Sequence, residues 1–551
     1  MTSETLTPIF QLSNEYVAEA AKLNPIDATY LGIPGYDDQL NDFSLEGSKK
    51  KSALIRETLR KLAEMEPQNE NDRIAAAVLQ ERLTSELSLY DSYENQIICA
   101  VVYSPGSSIR QIFEVMPYET EEEIKNITLR LKAVKPAHES WKSCLIDLAK
   151  MGKRISKRQA RGVADQLRVF SDGAYSGIAK KIDPDKKNPE IHAAAASADK
   201  SAGEMSEWFR TSYLPEADES DGLGAERYSA WARHYTGGDL DLRDTYEWGL
   251  KDLARINERM WRVALKIKPD AKSLHEVATF LDHDPKYTVK GSDVLLEMLT
   301  EFTEAVTTQM DGVYFDIDDR IKLCEARLAP EGSSAAPYYQ SPSEDLSRPG
   351  TTWFPTQGKN VFNWWRIPTM WYHEAVPGHH LQIATAIIES ERLSRFQRSE
   401  GMTSGYGEGW ALYAERLMDE LGAFEDPGFE MGYLSAQAWR AVRIVVDIGL
   451  HLGYEDENGK VWSYESACDL LVSHALLNED FAKSEIDRYL GIGGQAISYK
   501  VGERVWMNAR EDAKKRLGTN FSLKKFHTYA LGLGPLGLDP FAVEIAKWDG
   551  N

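Results

Sequence analysis

The sequence predicts a mainly α-helical protein, one large helical body with a small β strand or hairpin set into it. Three observations carry this expectation. Segments rich in Ala, Leu, Glu, Lys and Arg recur with apolar residues at helical spacing. Glycine and proline punctuate these segments. One stretch alone, residues 331–359, turns instead to Gly, Ser, Pro and short aromatic runs.

Most of residues 1–330 reads as helix, with 74–87 and 124–133 as clear cases. Pro25, Gly32, Pro34-Gly35, Pro136 and Gly237-Gly238 are expected breakers. Residues 183–187 read as a loop leading into a helix that holds the alanines 193–196. Beyond Pro330, Tyr338-Tyr339 and Thr351-Thr352-Trp353-Phe354 are β-prone, and helical patterns then return to the end. The expected division is an N-terminal half, 1–330, and a second half, 331–551, carrying the chemistry. Nothing between them resembles a flexible linker, so they form one continuous body.

The 551 residues are 27% charged and 42% hydrophobic, a globular composition too apolar for disorder. Lys and Arg number 64 against 86 Asp and Glu, a net charge of −22. Such acidity argues against nucleic acid and anionic membrane as partners. The four cysteines, Cys99, Cys144, Cys324 and Cys468, have no paired spacing. That excludes a disulfide scaffold and a thiolate zinc site and suggests a reducing compartment. Met1-Thr2-Ser3-Glu4-Thr5 lacks the start of a secretory signal, and no apolar run nears the roughly 20 residues of a membrane span. The expected location is cytoplasmic.

Histidine is scarce, 11 in the chain, yet three fall together in His373-Glu374-Ala375-Val376-Pro377-Gly378-His379-His380. In an HExxH helix two imidazoles one turn apart meet one zinc, and the Glu serves as general base toward the water the metal activates. Here Pro377 occupies the second ligand position, so the helix must bulge or restart. On an unbroken helix His380 shares the face of His373, but seven residues rise about 10 Å, too far for one ion. A break that absorbs two residues brings in His379, the preferred second ligand, with His380 the alternative. The plainer reading is a His-rich turn after a helix.

A third ligand is found in Gly405-Tyr406-Gly407-Glu408-Gly409-Trp410-Ala411-Leu412-Tyr413-Ala414-Glu415. Glu408 and Glu415 are seven apart on one face of an amphipathic helix. Glu408 can ligate the metal, and Glu415 can hold a ligand imidazole from behind. Alone, both would read as solvated carboxylates.

His275-Glu276 is a decoy, because Thr279 stands at the ligand position. His451, His474 and His527 are lone histidines among apolar residues and read as core groups. In the run from Asp487 to Gly502, a Gly-rich turn precedes polar residues but lacks the ending of a phosphate loop. Tyr499 can donate to an oxyanion, Arg488 can hold a substrate carboxylate, and Tyr489 and Gln495 complete the substrate-binding candidates. A helix–turn–helix connection with core tyrosines is the competing reading.

The segment from Gly407 to Glu415 resembles the xEGxAxYxE stretch of the aminopeptidase branch of the gluzincin zinc metallopeptidases. Over nearly its whole length the chain resembles a bacterial domain-of-unknown-function family. The marks are HExxPGHHLQ, here from His373 to Gln382, and EGWALYAE, here from Glu408 to Glu415. A YY…SRPG segment follows the same pattern at Tyr338-Tyr339 and from Ser347 to Gly350, as does a late PGQAxSYKxG motif, in which Gly493 replaces the proline. The resemblance implies a helical zincin-like body whose β strand or hairpin borders a deep active-site cleft. It also implies one zinc ion per chain and a hydrolase, most simply a metallopeptidase acting on a peptide or small amide. Two alternatives stand beside this, an amidase or other acyl hydrolase on a non-peptide substrate, and a non-catalytic helical binding protein with a vestigial zinc site.

Overall fold

The computed structural model describes residues 6–551 except 102, 331–335, 344 and 457. The N-terminal pentapeptide and the start of the 331–359 stretch thus lie outside the described residues. The fold is mainly α, and among the described residues the sheets have two and three short strands. The chain forms two compact units: Met1–Asp72, Leu83–Ala230 and Ser484–Gly493 make the first, and Arg73–Arg82, Trp231–Lys483 and Gly494–Asn551 the second. The expected boundary near 330 is therefore misplaced. Residues 231–330 belong with the C-terminal helices: Leu242–Ile267 packs so closely on Pro427–Leu452 that a Cβ on Gly249 would lie 2.6 Å from Ile444 Cγ2.

In the first unit the helix Glu121–Lys150 opens with a capping box. Glu123 N–H donates to Thr120 Oγ1 at 3.2 Å, and Thr120 N–H to Glu123 Oε2 at 2.9 Å. Pro136, an expected breaker, lies inside this helix. The lost hydrogen bond is tolerated because Leu131, Val134, Trp141 and Leu145 are buried on either side of it. Ala195, Ala198 and Ala202 of Pro189–Trp208 join the same core, and Asn188 caps that helix as the loop before it suggested.

In the second unit β1 (Thr288–Lys290) pairs antiparallel with β5 (Val361–Asn363). The other sheet has the order β2-β4-β3: β2 (Cys324–Leu328) runs parallel to β4 (Gly350–Phe354), and β3 (Tyr338–Gln340) antiparallel to it. The β3–β4 pair is the expected hairpin. The other three strands were not expected; Cys-Glu-Ala-Arg-Leu in β2 is mostly helix-forming, and pairing with β4 overrides that preference. Five helices carry the site: Ile367–Glu374, His379–Ile388, Ser404–Glu420, Pro427–Leu452 and Ser498–Leu517. Ser404–Glu420 and Ser498–Leu517 touch backbone to backbone, since a Cβ on Gly409 would lie 2.5 Å from Gly502 Cα. Among the described residues no helix is long and apolar enough to cross a membrane.

Candidate metal centre

The helix Ile367–Glu374 stops where proline requires it to. Ala375 N–H still bonds the Trp371 carbonyl at 2.8 Å, but the chain then turns through a cis Val376–Pro377 bond and restarts as a helix at His379. Gly378 folds back onto the end of the first helix: a Cβ there would sit 1.9 Å from the His373 carbonyl oxygen and 2.4 Å from that of Tyr372. Only glycine fits so close an approach. Trp410 Nε1 donates to the Pro377 and Gly378 carbonyls at 2.9 and 3.0 Å, tying the turn to the helix that carries Glu408.

The restart sets the His379 ring 4.8 Å from the His373 ring. His373 Nε2 lies 3.1 Å, and His379 Nε2 3.5 Å, from Glu408 Oε2. One donor atom from each of these three residues falls within 4.8 Å of the others. Donors held about 2.0–2.2 Å from a tetrahedral ion stand roughly 3.3–3.6 Å apart, and the two distances from the histidines to Glu408 lie close to that spacing. Behind it, His373 Nδ1 donates to Glu415 Oε1 at 2.9 Å, and Glu415 Oε2 accepts from Thr369 Oγ1 at 2.6 Å. Glu415 thereby fixes the tautomer and aims Nε2 at the cluster. His379 Nδ1 is buried without a hydrogen-bond partner.

Burial disfavours charge on His373, yet its hydrogen bonds to Glu408 and Glu415 carry its pKa up to about 10. Without a metal, a proton therefore occupies the site. Burial also works against ionised Glu408, but both histidines hold it well below the usual range. Glu374 is raised, chiefly by burial, against the pull of His379 and His373. Because the two carboxylates raise the His373 pKa, a zinc ion bound there would have to displace a proton from this imidazole at neutral pH. Zinc affinity should then fall as pH falls, by about tenfold per unit from this group, with about one proton released at pH 8. Calorimetry in buffers of different ionisation enthalpy measures that proton; a pH-independent affinity would refute the arrangement.

His380 points elsewhere. It is buried, its Nδ1 accepts from Tyr339 of β3 at 3.0 Å, and its Nε2 donates to the Ile321 carbonyl at 2.7 Å. Burial lowers its pKa to about 4, so it stays neutral and ties the His379 helix to the sheet. The alternative of His380 as ligand is corrected accordingly. Tyr499 joins the cluster, its ring stacked 6.4 Å from that of His373. Gln495 lies one step away, its Nε2 donating to Ser404 Oγ at 3.4 Å, at the start of the Glu408 helix. Arg488 and Tyr489 belong to the first unit, not to the one that holds the donors. Both donate to Glu485, Arg488 at 3.1 and 3.0 Å and Tyr489 at 2.5 Å, so that carboxylate takes the place assigned to a substrate.

The decoy is a helix start: Glu276 accepts from Lys272 N–H at 2.9 Å beside exposed His275. His527 is a bonded core group, between Tyr413 and the Tyr314 carbonyl. Sequence reasoning missed Arg440 and Arg443, both buried on Pro427–Leu452. Their guanidinium carbons lie 6.0 and 4.5 Å from the Tyr499 ring centre. Two arginines three apart in a helix otherwise dominated by Ala, Val, Ile and Leu around them were the available signal.

The chain belongs to the family described as "Bacterial protein of unknown function (DUF885)", which matches residues 25–545. No curated protein matches it. Among solved structures, a candidate lipoprotein from Colwellia psychrerythraea is 24% identical with a TM-score of 0.84, covering 98% of both chains. A candidate lipoprotein of unknown function from Shewanella oneidensis is 18% identical with a TM-score of 0.79, covering 98% of this chain and all of that one. These likenesses establish a shared fold.

Proposed function

We propose that the protein is a zinc-dependent hydrolase of gluzincin type, most simply a metallopeptidase, with His373, His379 and Glu408 as ligands. The observation that carries this reading is the convergence of these three donors from three separate helices, with Glu374 beside them and Glu415 behind. Two imidazoles and one carboxylate are the donor types of catalytic zinc sites that leave a coordination position open. Zinc bound there would supply Lewis acidity, polarising the scissile carbonyl and making water nucleophilic at neutral pH. Glu374 takes the proton of the attacking water and passes it to the leaving amine nitrogen. Its environment suits the task, because burial biases this carboxyl toward accepting a proton. Tyr499 donates its hydroxyl toward the developing oxyanion. A purely binding protein with a structural zinc would more often close the site with a fourth protein ligand; among the described residues the donor group has three.

Metal analysis followed by digestion of a peptide library tests the reading. About one zinc per chain is expected, together with new peptide termini that chelation abolishes. A zinc-loaded protein that leaves every peptide intact but hydrolyses other amides would favour the acyl-hydrolase alternative, which shares all the site residues. Tyr499→Phe should lower kcat and kcat/KM together by about 10²-fold with little change in KM. A change confined to KM would make Tyr499 a substrate-binding residue instead. On location, the two structural neighbours are described as candidate lipoproteins and lend the cytoplasmic expectation no support; cell fractionation tests it.

A further inference from the structure

Two side chains beside the donor cluster are buried with hydrogen-bonding capacity left over, and in both the spare group is a donor. Gln437 and Arg440 stand one turn apart on the same face of Pro427–Leu452. Gln437 Oε1 accepts from Lys500 Nζ at 2.6 Å. A lysine can only donate, so this contact fixes the amide's orientation and leaves its NH2 facing away, buried and without a partner. Arg440 is 7% exposed. It makes one long hydrogen bond, from Nη1 to the Ala436 carbonyl at 3.4 Å, and its Nε makes none. A buried guanidinium bonded so weakly is costly unless an anion completes it. Arg443, 4% exposed, adds a second positive charge over the face of Tyr499.

We propose that Arg440 and Gln437, with the charge of Arg443 beside them, form the subsite for a substrate's free C-terminal carboxylate. The word substrate rests on the hydrolase reading above; the carboxylate subsite does not. Spare groups that only donate call for a ligand that only accepts, and a carboxylate offers two oxygens and one negative charge to a planar guanidinium. A phosphate dianion fits less well, because Glu374, Glu408 and Glu415 are gathered nearby and would repel it. Arg440 is close enough to Glu374 and Glu415 for its charge to act on both. The distances also limit the substrate. Tyr499 lies 6.4 Å ring to ring from His373, and the Arg440 guanidinium 6.0 Å from the Tyr499 ring. At roughly 3.3–3.6 Å per extended residue, the two legs together leave room for no more than about three residues between the scissile bond and the carboxylate. The subsite therefore selects C-terminal trimming over internal cleavage, and it takes over the role first assigned to Arg488.

The test uses a library of N-acetylated hexapeptides in two forms, free acid and C-terminal amide. Retention is measured by mass spectrometry on the zinc-loaded full-length Glu374→Gln protein, and wild-type digests are read in parallel. Free acids should be retained over amides by about 10²-fold. Arg440→Gln should remove that preference, while Arg440→Lys, which keeps the charge and controls for folding, should retain part of it. Wild-type digests should release fragments of one to three residues. Equal retention of both forms, retention of neither, or an Arg440→Gln protein that still prefers acids would overturn the proposal. So would amidated peptides held through internal Asp or Glu as tightly as free acids. Acid-selective retention without any wild-type hydrolysis would refute the peptidase reading while the carboxylate subsite stands.

Discussion

In the proposed zinc hydrolase, Glu374→Gln is expected to keep the zinc and to lose turnover by about 10²–10⁴-fold, which is roughly 3–5 kcal/mol of transition-state stabilisation. The residue follows a proposed ligand in sequence without being one: the donor atoms that converge belong to His373, His379 and Glu408. Glutamine preserves size and hydrogen bonding, so the metal content should hold near one per chain. What it cannot do is accept the proton of the attacking water, which the half-buried, upward-shifted Glu374 carboxyl is placed to do. Turnover and metal content must be measured on the same preparation. Wild-type turnover in the glutamine protein would remove Glu374 from the mechanism.

The second large effect separates two adjacent histidines. His379→Ala should cost more zinc affinity than the roughly 10–100-fold that a supporting residue such as Glu415 is worth, with little change in fold stability. His380→Ala should do the reverse. It strands the Ile321 carbonyl and the Tyr339 hydroxyl in a buried site and opens a cavity, at a cost of about 2–4 kcal/mol, while the three donors remain. Metal titration and denaturant unfolding on the two variants read the contrast. Equal metal loss in both would show that the turn at Gly378 does not sort them as described.

The residues brought together at the centre were readable where the signal was local. Glu408 and Glu415 share a helix face because they are seven apart, and both come to His373. His379 and His380 could be ranked but not separated, because helical periodicity ends at Pro377 and the choice depends on how tightly Gly378 packs on the preceding turn. Pairing-dependent features were harder to read. Strand β2 is composed of helix formers, and β1 and β5 are three residues each. Pro136 looked like a terminator and is carried inside a helix whose neighbours bury it. Arg440 and Arg443 pass as surface charges until the helix around them proves to be buried on nearly every face.

The chain's path between its units has a consequence for synthesis. Ser484–Gly493 belongs to the first unit, although most of the second precedes it in the chain. Gln159 Nε2 donates to the Asp487 carbonyl at 3.0 Å, and Arg158 bonds the Asp487 carboxylate at 3.3 Å, so the late segment is held by early residues. Domains usually complete themselves in order as they leave the ribosome. Here the N-terminal unit must wait, with part of its surface uncovered, until more than 480 residues have been made. No single cut of the gene yields either unit whole. An expression strategy based on a fragment ending near residue 230 would release a body lacking a strip of its own packing, whereas a circular permutant or a transplanted copy of 484–493 would restore it.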